Sequence, residues 1–217
     1  MKDIPMFNGT HGMASLVFRE IAVTGRAYAV IRSVWNGKTT AFLQECLDFC
    51  RAVGAETVYA AYGTEELPAE HGWDMLRMEV EKDRLPQGNP VELEALCPEN
   101  GAAFLEIYNR CFRELPGSSV YGQKDLQRLY DTDCAFLAKT DGNYAAVAEI
   151  SEIGLESIGV LPEFRGLGYD LALTVLPMVP RKVISLKVAS TNEKALALYD
   201  RLGFQTVEIT ERWWRLQ

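Results

Sequence analysis

The sequence predicts a mixed α/β fold, a sheet covered on both faces by helices, and three observations carry that expectation. Beyond residue 90, strand-like and helix-like segments interleave in the order β-α-α-β-β-β-loop-α-β-α-β. A glycine-bearing loop, Arg165-Gly166-Leu167-Gly168, joins one of those strands to a helix. An earlier stretch, residues 15–82, repeats part of the same order.

Each element rests on a local pattern. Residues 84–90, Arg-Leu-Pro-Gln-Gly-Asn-Pro, hold two prolines and a glycine and read as a linker. Residues 91–97 alternate apolar and acidic side chains, which is the period of a strand. Phe104, Ile107, Tyr108 and Cys111 recur at helical spacing within residues 100–115, and residues 124–130 form a second short helix. Residues 134–139 and 144–150 are strands joined by the turn Asp141-Gly142-Asn143. A strand over 156–160 leads into the glycine loop, and a helix over 171–179 ends near Pro180. A strand over 183–188, a helix over 193–202 stopped by Gly203, and a strand over 207–216 close the chain.

The N-terminal stretch follows a related plan. Residues 42–53 place Phe42, Cys46, Phe49, Cys50 and Val53 on one helical face, and a strand follows over 57–62. Helix, short turn and strand recur in that order at 171–188; Val34 precedes the first helix as Val160 precedes the second, and His71-Gly72-Trp73 stands where Leu202-Gly203-Phe204 stands later. Residues 15–82 are therefore read as a shortened, diverged copy of the C-terminal half, with 1–88 and 89–217 as the two domains; an unrelated α/β extension is the alternative. Asn36-Gly37-Lys38-Thr39-Thr40 imitates the end of a nucleotide P-loop, but the required glycine five positions before Gly37 is Arg32. A turn into a helix is the better reading.

Composition narrows the function classes. The 217 residues are 48% hydrophobic and 24% charged, the proportions of a globular protein with a sizeable core. No apolar run nears the ~20 residues of a membrane span, and residues 1–5 lack the basic and apolar stretches of a secretory signal, so a cytoplasmic location and no membrane partner are expected. The 30 acidic residues outnumber the 22 basic ones, for a net charge of −8. That balance disfavours nucleic acid, whose binding needs clustered cations, and suits a cationic partner such as an amine. Five cysteines without a CxxC pair fit a reducing compartment; Cys46 and Cys50 could supply half a metal site, yet no His or Cys cluster completes it, and no metal is expected.

The chemistry concentrates in Ile158-Gly159-Val160-Leu161-Pro162-Glu163-Phe164-Arg165-Gly166-Leu167-Gly168-Tyr169-Asp170. A strand runs through a loop into a helix whose first amides have no intrahelical partner, which makes an anion site suited to a diphosphate. Gly166 and Gly168 let the backbone approach such a group without a Cβ in the way. Val160-x-Pro162-x-x-Arg165-Gly166-x-Gly168 resembles the cofactor motif of the GNAT superfamily of N-acetyltransferases. Val188-x-x-x-Asn192-x-x-Ala195-x-x-Leu198-Tyr199-x-x-x-Gly203-Phe204 is similar to the family's second signature, at the expected distance. The resemblance covers about residues 90–217.

The resemblance implies a mostly antiparallel mixed sheet flanked by helices, acetyl-CoA (CoA) as cofactor, and transfer of an acetyl group to a primary amine on a small molecule or peptide. It implies that backbone amides of Arg165, Gly166, Leu167, Gly168, Tyr169 and Asp170 hold the diphosphate. Main-chain groups of Ile158, Gly159 and Val160 would meet the pantetheine arm, one of them polarising the thioester carbonyl. Asn192 would bond that arm or cap the helix it precedes. Tyr199 would protonate the leaving thiolate, or be a core aromatic; a phenol with an ordinary pKa near ~10 can donate at neutral pH. Glu156, two and four residues before Ile158 and Val160, is the first candidate for a base, with Glu149 and Glu152 behind it; each taken singly reads more readily as a solvated or ion-paired charge, and water can relay the proton. A homodimer stays open.

One residue departs from the motif. The family's final Gly or Ala is Asp170 here. Two unit charges ~6 Å apart at an effective dielectric of about 20 repel by roughly 3 kcal/mol, so either this carboxylate points away or CoA binds weakly. The alternative to an enzyme is therefore a non-catalytic CoA-binding or interaction module that keeps the fold.

Overall fold

A computed structural model describes residues 4–217. The chain divides into two compact units, and they are not the consecutive segments 1–88 and 89–217. The first comprises residues up to 76 together with 189–191 and 209–217; the second comprises 77–188 and 192–208. The last residues join the first unit because Trp214, Arg215 and Leu216 pair antiparallel with Ala60, Tyr59 and Val58.

The first unit begins with strands β1 (Met6–Asn8) and β2 (Gly12–Val17), a single turn of helix α1 (Ile21–Thr24) and strand β3 (Arg26–Val34). Helix α2 (Thr39–Ala52) crosses over to β4 (Thr57–Ala61). β2 pairs antiparallel with β1 and β3, and β3 pairs parallel with β4 over five positions, from Arg26↔Thr57 to Val30↔Ala61. α2 lays Phe42, Leu43, Cys46, Leu47 and Cys50 on Leu16, Ile31, Val58 and Ala60 of these strands. Burial pushes the thiols of Cys46 and Cys50 up to about 12 and about 11, so both act as small apolar side chains here. Asn36 and Gly37 take φ of 52° and 66°, a tight turn into α2. No helix runs directly into His71: Gly72 lies inside strand β5 (Glu70–Glu81), so the expected match to the helix stop at Gly203 does not hold. Residues 62–69 carry Gly63 and Pro68 and form no helix.

Residues 77–81 of β5 open the second unit. Strand β6 (Glu92–Ala95), helices α3 (Gly101–Phe112) and α4 (Gln123–Tyr130), and strands β7 (Ala135–Thr140), β8 (Asn143–Ile150) and β9 (Gly154–Val160) follow. Helix α5 (Leu167–Val175), strand β10 (Val183–Ala189), helix α6 (Glu193–Arg201) and strand β11 (Gln205–Leu216) complete the chain. The sheet runs β10-β9-β8-β7-β6, antiparallel throughout except for the parallel pair β9–β10. The turn between β7 and β8 has Asp141 and Gly142 at φ 52° and 77°, the twist a two-residue hairpin needs.

Alternation along β9 sets the layers. A Cβ on Gly159 would meet Cys111 and Phe112 of α3, whereas Val160, one residue on and facing the other way, lies beside Gly168 of α5. α3 and α4 thus cover one face of the sheet, packing Phe104, Ile107, Tyr108, Leu126 and Leu129 on Leu137 and Val147. α5 covers the opposite face with Leu171, Ala172 and Val175 buried. This is the mixed fold, mostly antiparallel and flanked by helices, that the sequence predicts.

Candidate active site

Two local irregularities shape the site. β8 and β9 pair Glu149 with Ser157 but Ile150 with Leu155, so Glu156 is an extra residue, a β-bulge. At the same level the ladder between β9 and β10 stops: only Gly154↔Ser185 and Leu155↔Leu186 pair, although β9 continues to Val160 and β10 to Ala189. A bulge bends its strand and strengthens its twist. The two parallel strands therefore part beyond Leu155, and main-chain groups of residues 156–160 on that side are left without a strand partner.

At the end of β9 the chain makes a 3-10 turn over Pro162–Phe164 and enters α5 through Gly166 at φ 104°. That left-handed conformation is strained for any residue with a Cβ. Gly168 lies in the first turn of α5; a Cβ there would stand 3.6 Å from Val160 Cγ2 and 3.8 Å from Leu198 Cδ2. The end of β9, the start of α5 and helix α6 therefore converge at Gly168. The free amides of the α5 N-terminus and the unpaired edge of β9 suit a ligand with an anionic end and an extended polar arm, the two chemical parts of CoA.

The expected site residues fall into distinct places. Ile158 and Val160 are half-buried at the unpaired edge, with Gly159 buried between them. Arg165 and Gly166 are exposed at the loop, and Leu167, Gly168, Tyr169 and Asp170 form the first turn of α5. The Asp170 carboxylate accepts a hydrogen bond from the backbone N–H of Asn89 at 3.0 Å and from the Asn89 side-chain amide at 3.5 Å, so it is engaged by the linker. Asn192 Oδ1 accepts from the Ala195 N–H at 3.3 Å and caps α6. Tyr199, in α6, is 7% exposed; its ring centroid is 5.8 Å from that of Phe204, and burial pushes its phenol up to about 12. Glu156 is exposed at the bulge and Glu152 is exposed in the turn before β9. Glu149 is buried, and accepts hydrogen bonds from the Tyr121 hydroxyl at 2.8 Å and Arg128 at 3.2 Å.

Sequence reasoning missed one neighbour of the loop. The Arg201 guanidinium lies 4.5 Å from the centre of the Tyr169 ring, tying the end of α6 to the first turn of α5. Gln87, Asn89, Gly166, Tyr169, Asp170 and Arg201 line a cleft of about 670 Å³ beside the loop. Arg201 falls in the unspecified part of the second signature, so spacing alone carries no signal for it.

Residues 101–204 match the model of the acetyltransferase (GNAT) family. Over 89 residues the chain is 34% identical to the N-alpha-acetyltransferase RimI of Mycobacterium tuberculosis, covering 36% of this chain and 56% of that protein. It is 28% identical over 150 residues to the mycothiol acetyltransferase of Streptomyces coelicolor, covering 60% of this chain and 47% of that one. The chain thus spans about half the length of the curated relatives it matches. A solved GCN5-related N-acetyltransferase from Sphaerobacter thermophilus superposes with a TM-score of 0.63 at 15% identity, over 94% of this chain and 76% of that one. A tandem GNAT protein from the clavulanic acid biosynthesis pathway gives 0.56 at 17% identity, over 94% and 78%. The fold is that of the GNAT acetyltransferases, and residues 101–204 carry the family's sequence pattern.

Proposed function

We propose that this protein is an N-acetyltransferase that moves an acetyl group from acetyl-CoA to a primary amine. The observation that carries this reading is the parting of β9 and β10 immediately before a glycine-entered helix N-terminus, at the residues that match the family's cofactor motif. Bound there, acetyl-CoA supplies an activated acyl group as a thioester. The amides of residues 165–170 hold the diphosphate, and Gly166 and Gly168 leave room for it. Main-chain groups of Ile158 and Val160 align the pantetheine arm, and an N–H of this edge stabilises charge developing on the carbonyl oxygen. With Oδ1 accepting at the α6 cap, Asn192 offers its Nδ2 donors to that arm. The Tyr199 hydroxyl, protonated throughout the neutral range, donates its proton to the thiolate as it leaves. Glu156, exposed at the bulge, accepts the amine's proton directly or through water.

The non-catalytic alternative loses one of its supports, because the Asp170 carboxylate is bonded to Asn89. Acetyl-CoA at millimolar concentration is expected to raise the melting temperature, since it binds the native state and not the unfolded chain. The absence of any shift would sink the reading.

A further inference from the structure

Toward α3 and α4, strands β8 and β9 bury two polar side chains among apolar ones. Glu149 and Ser157 stand directly opposite each other across the two strands, so their side chains point the same way and their Cβ atoms are about 5 Å apart. Both are buried, at 5% and 7% exposure. The Ser157 hydroxyl has no hydrogen-bond partner among the described residues. A buried hydroxyl without a partner costs stability that an alanine of nearly the same shape would not.

The carboxylate beside it is held from one side. Glu149 Oε2 accepts from Tyr121, whose backbone is clamped to α3 by both ends of the Asn109 amide, at 2.7 and 2.9 Å, and whose ring stacks on Tyr108 at 3.8 Å. Burial pushes the Tyr121 phenol up to about 12, so it remains a donor. Among the described residues Oε1 accepts from Arg128, at 3.2 Å, and the Arg128 side chain is 55% exposed. A structural tie between α4 and the sheet accounts for Glu149 and Arg128. It does not account for the unpartnered Ser157.

A ligand group with several N–H donors and a positive charge satisfies both. An ammonium donates to Oε1 of Glu149 and to the Ser157 oxygen together, and it replaces one cation by another, so the buried carboxylate is never left uncompensated. Ser157 also immediately precedes Ile158, at the unpaired edge of β9. Resting on the acetyltransferase reading above, we propose that Glu149 and Ser157 form the subsite that takes up the acceptor amine in its protonated form, with Arg128 a resident cation that the amine displaces; the ammonium gives its proton to Glu156, directly or through water, before its nitrogen attacks the thioester.

The test is steady-state acetylation at saturating acetyl-CoA of three probes, trialanine, Nα-acetyl-lysine and spermidine, with the acetyl-CoA Kd measured by calorimetry. For the amine that the wild type accepts, Glu149→Gln is expected to raise KM at least tenfold and Ser157→Ala several-fold, with acetyl-CoA Kd within twofold of the wild type. Arg128→Met is expected to lower KM, because the competing cation is gone. Ser157→Ala is expected to keep or raise the melting temperature while weakening the amine, a combination that a structural role does not produce. An unchanged KM in Glu149→Gln, or a rise in Arg128→Met, overturns the subsite. A wild type that binds acetyl-CoA and acetylates none of the three amines overturns it too, and leaves the cofactor reading standing. A wild type that does not bind acetyl-CoA brings down the cofactor reading and this subsite with it.

Discussion

A carboxylate at the mouth of an anion site repels a diphosphate only if it faces it. The Asp170 carboxylate accepts from the backbone and side-chain N–H groups of Asn89, so it is turned to the linker and fixes it to the first turn of α5. Asp170→Ala is expected to cost about 1 kcal/mol in a denaturation experiment, the worth of a typical hydrogen bond, and to change acetyl-CoA affinity less than threefold. A hundredfold tightening measured by calorimetry would restore the repulsion. Asn89 lies 81 residues away in the sequence, which is why no local reading could decide the point. Tyr199 makes a second prediction at this scale. Tyr199→Phe removes only a hydroxyl, so turnover is expected to drop at least tenfold with acetyl-CoA Kd unchanged. Because burial raises the folded-state pKa to about 12, its stabilising effect is complete below the unfolded value near ~10 and is lost as pH rises through 12. Alkaline unfolding between those limits is expected to be shallower in Tyr199→Phe, by up to about 2 kcal/mol at the upper limit. Identical alkaline profiles would refute it.

Among elements, the divergence of β9 from β10 depends on a close approach just below it. A Cβ on Gly154 would stand 1.6 Å from the Ser185 carbonyl oxygen, at one of the two positions where these strands pair. Gly154→Ala is therefore expected to cost about 3 kcal/mol, near the upper end for overpacking, and to abolish acetyl-CoA binding with it. Gly122→Ala, with nothing within 4 Å of the added carbon, is the control and is expected to stay within 1 kcal/mol in urea titrations. Most of the second unit was legible because hairpin turns, helical spacing and glycine stops mark its boundaries. α5 begins at Leu167, four residues before the expected start at Leu171, because Gly168 reads as loop although it belongs to the first helical turn. β5 escaped notice for another reason: its buried residues are Trp73, then Met78 and Val80, and the change from odd to even positions erases the period-two signal. The bulge at Glu156 is invisible for the same kind of reason, since register belongs to two strands at once.

Across the whole molecule the two units share a plan: an antiparallel pair, a crossover helix and a parallel strand, as β2-β3-α2-β4 in the first and β8-β9-α5-β10 in the second. That order supports the proposal that residues 15–82 are a shortened copy, and it raises the question of a second cofactor site. The first unit lacks both features that suit the second to CoA. β4 pairs with β3 along its whole length, so the two strands do not part. The entry to α2 is the turn at Asn36 and Gly37, with Lys38 at the N-cap position and no second glycine in the first helical turn to admit a phosphate. The expected calorimetric stoichiometry is thus one acetyl-CoA per chain. Hydrogen exchange is expected to slow on binding at residues 156–170 and to stay unchanged at residues 34–42, because the former combine an unpaired strand edge with a glycine-lined helix entry. A stoichiometry near two, or protection at the start of α2, would mean that a strand pair fully closed in this structure opens to ligand, and that parting of the strands is not what makes the site.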